Sequence, residues 1–152
     1  MTPDQVKLVQ DSFQKVAPIA TQAGDLFYTR LFEIAPEVRP LFPADIAPQR
    51  DKLLKMLSTA VTNLHQVEMI IPAVQDLGKR HVGYGVKDGH YDKVGEALIW
   101  TLEKGLGEAF TPPVKDAWVA TYGTLAGVMK DAAASVPVEQ PKKGLFARMF
   151  GT

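Results

Sequence analysis

Few residues in this chain could do redox, nucleophilic or metal chemistry. It has three histidines, His65, His81 and His90, and no cysteine. Without a thiol there is no thiolate nucleophile, no disulfide scaffold, no Cys-ligated zinc and no cysteine-bound iron–sulfur cluster. A three-histidine metal site would use every imidazole in the sequence. His81 closes an amphipathic run, where a histidine commonly caps the last carbonyls of a helix. Facing a large apolar cavity, the same residue can instead ligate a metal through one nitrogen and anchor to a carbonyl through the other.

Helices have to place these side chains. Thr2-Pro3-Asp4-Gln5 is a helix start: Thr2 caps, Pro3 sits where its missing N–H costs nothing, and Gln5 completes a capping box. Val6, Val9, Phe13 and Val16 follow at helical spacing until Pro18. A second helix over about 20–35 should bury Leu26, Phe27, Leu31 and Ile34, and Ala35-Pro36 should break it. Only a short helical turn fits residues 37–42. Residues 48–64 carry Leu53, Leu54, Leu57 and Val61. Residues 68–81 turn Ile70, Val74 and Leu77 inward, with Pro72 in the first turn. Residues 90–106 align Val94, Leu98 and Leu102, and Thr111-Pro112 opens a last helix bearing Val114, Trp118, Tyr122, Leu125 and Met129. No window alternates with period two, so the expected class is all-α.

The 152 residues suit one domain with a real core, and 46% apolar with 22% charged residues describes an ordinary globule. Seventeen basic residues balance seventeen acidic ones, which removes any overall steering field for nucleic acid or an anionic membrane. No secretory signal or membrane-spanning run is visible, and the expected location is cytoplasmic. After Ser135 the character changes: Pro137 and Pro141 break helix, and residues 142–150 combine Lys142, Lys143 and Arg148 with Leu145, Phe146, Met149 and Phe150. The expected division is a domain over 1–136 and a basic, apolar tail over 137–152.

Several ordered fragments carry a resemblance. They are Phe27-Tyr28 through Phe42, Ala60-Val61-Thr62-Asn63, Leu77 through His81 to Val86, Val94 through Leu98, Gly107 through Pro112, and Ala117-Trp118 through Gly123. In this order and at these separations, residues 4–134 resemble the globin family. The likeness is to bacterial single-domain haemoglobins, to the globin domain of flavohaemoglobins and, in the second half, to neuroglobin. The resemblance implies a three-over-three helical sandwich around haem b, iron protoporphyrin IX, with His81 as the iron ligand. It implies Phe42 wedging the ring, Leu53 and Val86 packing on it, and Tyr28 and Gln49 over the ligand side. Lys52 and Tyr84 correspond to groups at the haem edge, and Tyr91 to a tyrosine hydrogen-bonded toward His81. Gln49 and Leu53, four residues apart, share a helical face.

The implied ligands are the diatomic gases oxygen, nitric oxide and carbon monoxide. A phenolic O–H and an amide N–H are suitable donors to oxygen, which acquires negative charge when held, and less so to carbon monoxide. Two departures bear on activity. Gln49 stands where neuroglobin has its distal histidine, so an open sixth position is expected, with His65 and His90 poorly placed to fill it. Ala133 stands where flavohaemoglobins have a glutamate that supports electron push, and the length leaves no room for flavin and nicotinamide modules. The leading expectation is therefore reversible oxygen binding for storage, transport or scavenging. Nitric-oxide dioxygenation with a separate reductase, gas or redox sensing, and a haemless structural module are the rivals. Residues 142–150 read first as a disordered tail or an added helical turn packed on the body, with weak contact to a membrane or partner as the alternative, and monomer and dimer both stay open.

Overall fold

In the computed structural model, which describes residues 2–83 and 88–134 (side chains of 81–83 and 88 excepted), every regular element is helical. Helix α1 spans Pro3–Val16 and opens on the expected capping box: Gln5 N–H donates to Thr2 Oγ1 over 3.1 Å, and Thr2 N–H donates to Gln5 Oε1 over 2.9 Å. At Pro18 the chain tightens into a 3₁₀ turn, Ala17–Ile19, before α2, Ala20–Ile34. Pro36 disfavours helical backbone at Ala35, and a second 3₁₀ stretch, Pro36–Leu41, follows. Helix α3 covers Ala47–Thr62, and a 3₁₀ turn, Leu64–Gln66, leads into α4, Val67–Gly83. Helix α5 runs Asp88–Leu106, and α6 runs Pro112–Ala134 after a 3₁₀ turn at Gly107–Ala109.

Two expectations need correction. Because α4 starts at Val67, Pro72 lies inside the helix rather than in its first turn. Its missing N–H leaves the Glu68 carbonyl without a helical donor; both residues are exposed, so water can serve that carbonyl. Leu26 is not buried but 39% exposed. The buried stripe of α2 is Ala23, Gly24, Phe27, Tyr28 and Leu31, and Leu26 falls outside it.

Glycine makes that stripe possible. A Cβ at Gly24 would stand 2.6 Å from Arg50 Cγ and 3.4 Å from Leu54 Cδ1, so α3 crosses α2 at this point. A Cβ at Gly78 would stand 2.7 Å from Met129 Cα, and α4 lies backbone-close along α6. Elsewhere α2 packs on α5, and α1 on α6. Trp118, buried against Val9 and Leu31 in the same core, donates its indole N–H to Ser12 Oγ over 2.8 Å. Gln10 Nε2 donates to the Val61 carbonyl over 3.0 Å, tying α1 to the end of α3.

Candidate functional site

Between these helices lies a cavity of about 550 Å³, within the range of about 300–1,000 Å³ typical of small-molecule sites. Helices α2 to α6 and the Pro36–Leu41 stretch all contribute walls. Those walls are mostly apolar: Leu31, Val38, Leu53, Leu57, Ile70, Val74, Leu77, Val94, Leu98 and Leu125 are among them. Lys52, Lys55 and Arg80 are the basic residues among them, Arg80 ion-paired with Asp76 of its own helix, and no carboxylate stands among the described lining residues.

Tyr28 enters from α2. It is 3% exposed, and its Oη has no hydrogen-bond partner among the described residues. Burying a hydroxyl without a partner costs about 1–3 kcal/mol, so this atom is a functional candidate. Burial drives the phenol's pKa well above the ordinary tyrosine range because the phenolate would lose its water. The group is therefore an O–H donor at neutral pH. Rings fix its direction: Phe27 and Phe42 meet Tyr28 edge-on at centroid distances of 5.0 and 5.7 Å, and Phe32 lies at 6.0 Å.

Phe42 lines the cavity at the exit of the Pro36–Leu41 stretch. Arg39 holds this exit, donating to the carbonyls of Phe42, Pro43 and Ala44 at 3.3, 3.0 and 3.1 Å. Its guanidinium also lies 4.9 Å from the Phe32 ring centroid, a cation–π stack.

On α3, Leu53 and Lys52 line the cavity. Gln49, one turn earlier, is 3% exposed with Nε2 unpartnered among the described residues, yet it is not one of the lining residues. On α5, Tyr91 lines the cavity, and its carbonyl accepts a 2.6 Å hydrogen bond from Tyr122 Oη of α6. Room for the Tyr122 ring comes from Gly95, where a Cβ would stand 2.8 Å from Cε2. Lys130 Nζ sits 5.8 Å from the Tyr91 ring centroid and 3.5 Å from Asp92.

His81 lies in the last turn of α4, and its side chain is outside the described residues, as are Tyr84, Val86 and the tail over 137–152. His65 is exposed in the Leu64–Gln66 turn. The sequence puts His90 on the proximal side, poorly placed to fill the sixth position; it lines the cavity wall from the first turn of α5, together with Val94 and Leu98. Spacing carried that signal, since residues 90, 94 and 98 recur every four positions on one helical face. Arg80, Lys55 and Tyr122 are further lining residues that sequence reasoning did not assign. Among the described residues no cluster of three or more His, Asp or Glu forms a metal site, and no helix is long and apolar enough to cross a membrane.

The chain is 33% identical over 129 residues to a flavohemoprotein of Bacillus subtilis (strain 168), a match covering 78% of this chain and 32% of that protein. Flavohemoproteins of Bordetella parapertussis and Bordetella bronchiseptica are each 32% identical over 120 residues, covering 74% of this chain and 30% of theirs. The chain thus spans about a third of the length of these relatives. In fold it is similar to a bacterial globin from Campylobacter jejuni, with a TM-score of 0.76 at 24% identity, covering 88% of this chain and 96% of that one. The all-α architecture is accordingly the three-over-three sandwich of that fold. The Globin family model matches residues 25–129, a stretch that contains every cavity-lining residue from Phe27 to Met129, and the chain belongs to the globin family.

Proposed function

We propose that this chain holds haem b in the cavity through His81 and binds molecular oxygen reversibly, with Tyr28 as the principal donor to the ligand. The observation that carries the reading is Tyr28 itself: the residue lines an apolar cavity, and its buried hydroxyl has no partner among the described residues. The residues suit such a group. Leucine, isoleucine and valine walls would take an apolar macrocycle, Phe42 and Leu53 line the same cavity, and Lys52 would provide a cation for its carboxylates. Haem, when bound, supplies an iron that coordinates a diatomic gas.

The chain's own groups then set which gas stays. Tyr28 would supply an O–H donor to a ligand held beside it, where little water competes and a donor favours a ligand that gathers negative charge. Oxygen benefits more than carbon monoxide, and nitric oxide is the third gas of this class. Gln49 is a second donor if its unpartnered amide turns inward on ligand binding. Tyr84 and Val86 are assigned, by family resemblance, to the edge and face of the ring. Tyr91 packs beside the ligating side, held by Tyr122. No carboxylate of α6 stands at residue 133, and the α6 group over Tyr91 is the Lys130 ammonium. This arrangement supports ligand retention over bond cleavage.

Absorption spectra of the purified protein in ferric, ferrous and oxygenated states test the reading. A Soret band that shifts on oxygenation and returns on deoxygenation is expected. No haem uptake would overturn it, and so would a bis-histidine ferrous spectrum, for which His90 is the described histidine that lines the cavity. A second reading, turnover of nitric oxide with a separate reductase as partner, draws on the flavohemoprotein relatives. Sustained multiple turnover with an added electron donor would favour it; a single turnover would not.

A further inference from the structure

Lys130 of α6 stands where α4, α5 and α6 meet, and we infer that its ammonium sets the redox poise of the site, biasing a bound haem iron toward the ferrous state. The inference rests on the haem reading above. Two contacts place the residue. Met129, its neighbour in the chain, lines the cavity and meets α4 backbone to backbone: a Cβ at Gly78, about one helical turn before His81, would stand 2.7 Å from the Met129 Cα. Lys130 itself reaches toward α5, where its Nζ lies 5.8 Å from the ring centroid of the cavity-lining Tyr91, within the range of a cation–π contact. The α6 segment that bears the cation therefore runs beside the turn leading to His81, and the cation lies over a ring that is only 6% exposed.

The surroundings decide whether this charge is felt inside. The Lys130 side chain is 32% exposed, whereas its counter-ion Asp92, 3.5 Å away, is 75% exposed. Such a bridge contributes little to stability, and water screens the carboxylate more than the ammonium. Toward the interior nothing offsets the cation, since no carboxylate stands among the described cavity-lining residues. Asp131, the next residue of α6, is exposed, and Asp76 of α4 is paired with Arg80. One turn further along α6, residue 133 is alanine.

Ferric iron carries one positive charge more than ferrous iron, so a fixed cation disfavours it. At an effective dielectric of about 20, a unit charge acting over about 10–20 Å changes a one-electron equilibrium about 4- to 17-fold. Solvent screening of a third-exposed side chain lowers the expected change to about threefold or more. The consequence bears on reversible binding. When oxygen leaves as superoxide it takes one electron with it and leaves ferric iron behind. A cation that opposes this loss prolongs the state that binds oxygen.

Spectroelectrochemical titration of the haem-loaded chain tests the inference, the electrode supplying the single electron. Lys130→Met should lower the midpoint potential by about 28 mV or more, the equivalent of threefold for one electron. Asp92→Asn, which removes the opposing charge at an exposed site, should raise it by a smaller amount. Lys130→Arg keeps the charge and should leave the potential unchanged. The oxygenated form should autoxidise faster in Lys130→Met than in the wild type. A purely structural role for the Lys130–Asp92 bridge moves both variants in the same direction, and that result overturns the inference. A potential unmoved by Lys130→Met overturns it as well. If Lys130→Met does not fold or take up haem, Asp92→Asn decides: a potential that does not rise overturns the inference. A wild-type chain without a Soret band overturns the haem reading and this inference together, whereas a normal Soret band with unmoved potentials overturns this inference alone.

Discussion

Replacing Tyr28 by Phe separates the cost of the buried hydroxyl from its use. The ring stays, and with it the edge-on contacts to Phe27 and Phe42 at 5.0 and 5.7 Å. Only Oη goes, an atom with no partner among the described residues. In the ligand-free chain this should not destabilise the fold, because an unsatisfied buried hydroxyl already costs about 1–3 kcal/mol. The melting temperature is expected within about 2 °C of the wild type or above it, given about 2–4 °C per kcal/mol at this chain length. With oxygen bound the sign reverses. The lost donor is worth about 1–3 kcal/mol, so the oxygen off-rate should rise roughly 5- to 150-fold. The carbon monoxide off-rate should rise much less, since that ligand accepts hydrogen bonds poorly.

The assays are stopped-flow displacement of each gas and thermal melting of the haem-free protein. An oxygen off-rate changed by less than about twofold would refute the assignment of Tyr28 as the donor. Equal acceleration for oxygen and carbon monoxide would point to a widened cavity rather than a lost hydrogen bond. A loss of more than about 2 kcal/mol in the ligand-free chain would show that Oη has a partner there, since unpartnered hydroxyls do not stabilise. Tyr28→Leu is the wrong control, because it dismantles the ring cluster along with the hydroxyl.

Further outcomes follow from individual contacts. Ser12→Ala strands the buried indole N–H of Trp118 and should cost about 1–3 kcal/mol by urea denaturation. Gly78→Ala should cost more than about 2 kcal/mol and slow haem uptake, because its Cβ meets Met129 backbone that cannot rotate aside. Arg39→Gln removes the cation that grips the Phe42, Pro43 and Ala44 carbonyls and should accelerate haem loss to an acceptor globin with little change in helicity. Burial raises the pKa of both Tyr28 and Tyr122 above the ordinary 10.0. Their stabilisation is therefore complete below pH 10 and falls as pH climbs above it, where only the unfolded chain ionises. Circular dichroism should show an alkaline loss of helicity in the wild type that flattens in a Tyr28→Phe/Tyr122→Phe double variant.

Much of the helical frame was legible because local chemistry marks its ends. Thr2 and Gln5 cap α1, Pro18 and Pro36 break the chain, and Thr111-Pro112 opens α6 within a residue of its observed start. Tyr28, Phe42, Lys52, Leu53 and Tyr91, five residues singled out in the sequence, line one cavity. What resisted reading was set by crossings rather than by periodicity. Leu26 has apolar character and helical spacing, but Gly24 two residues earlier lets α3 in and fixes the buried stripe. Gln49 shares a helical register with Leu53, but whether its amide faces the cavity depends on the tilt of α3's first turn. His90 is set aside in the sequence as a sixth ligand, and at the start of α5 it lines the cavity wall.

The cavity also explains why α4 needs something to pack on. Protein interiors are close-packed, and residual voids cost about 24 cal/mol per Å³. At that rate a void a tenth the size of this 550 Å³ space already costs about 1 kcal/mol. Ile70, Val74 and Leu77 of α4 are only half-buried and face that space. The chief packing of α4 within the protein is along α6, at the Gly78–Met129 approach. A guest that fills the cavity supplies the missing apolar contacts on the opposite side, and its binding energy adds to the stability of the native state by mass action. Occupation and the order of α4 are then one equilibrium: the helix whose last turn carries His81 is the element with most to gain from the group that His81 is proposed to hold.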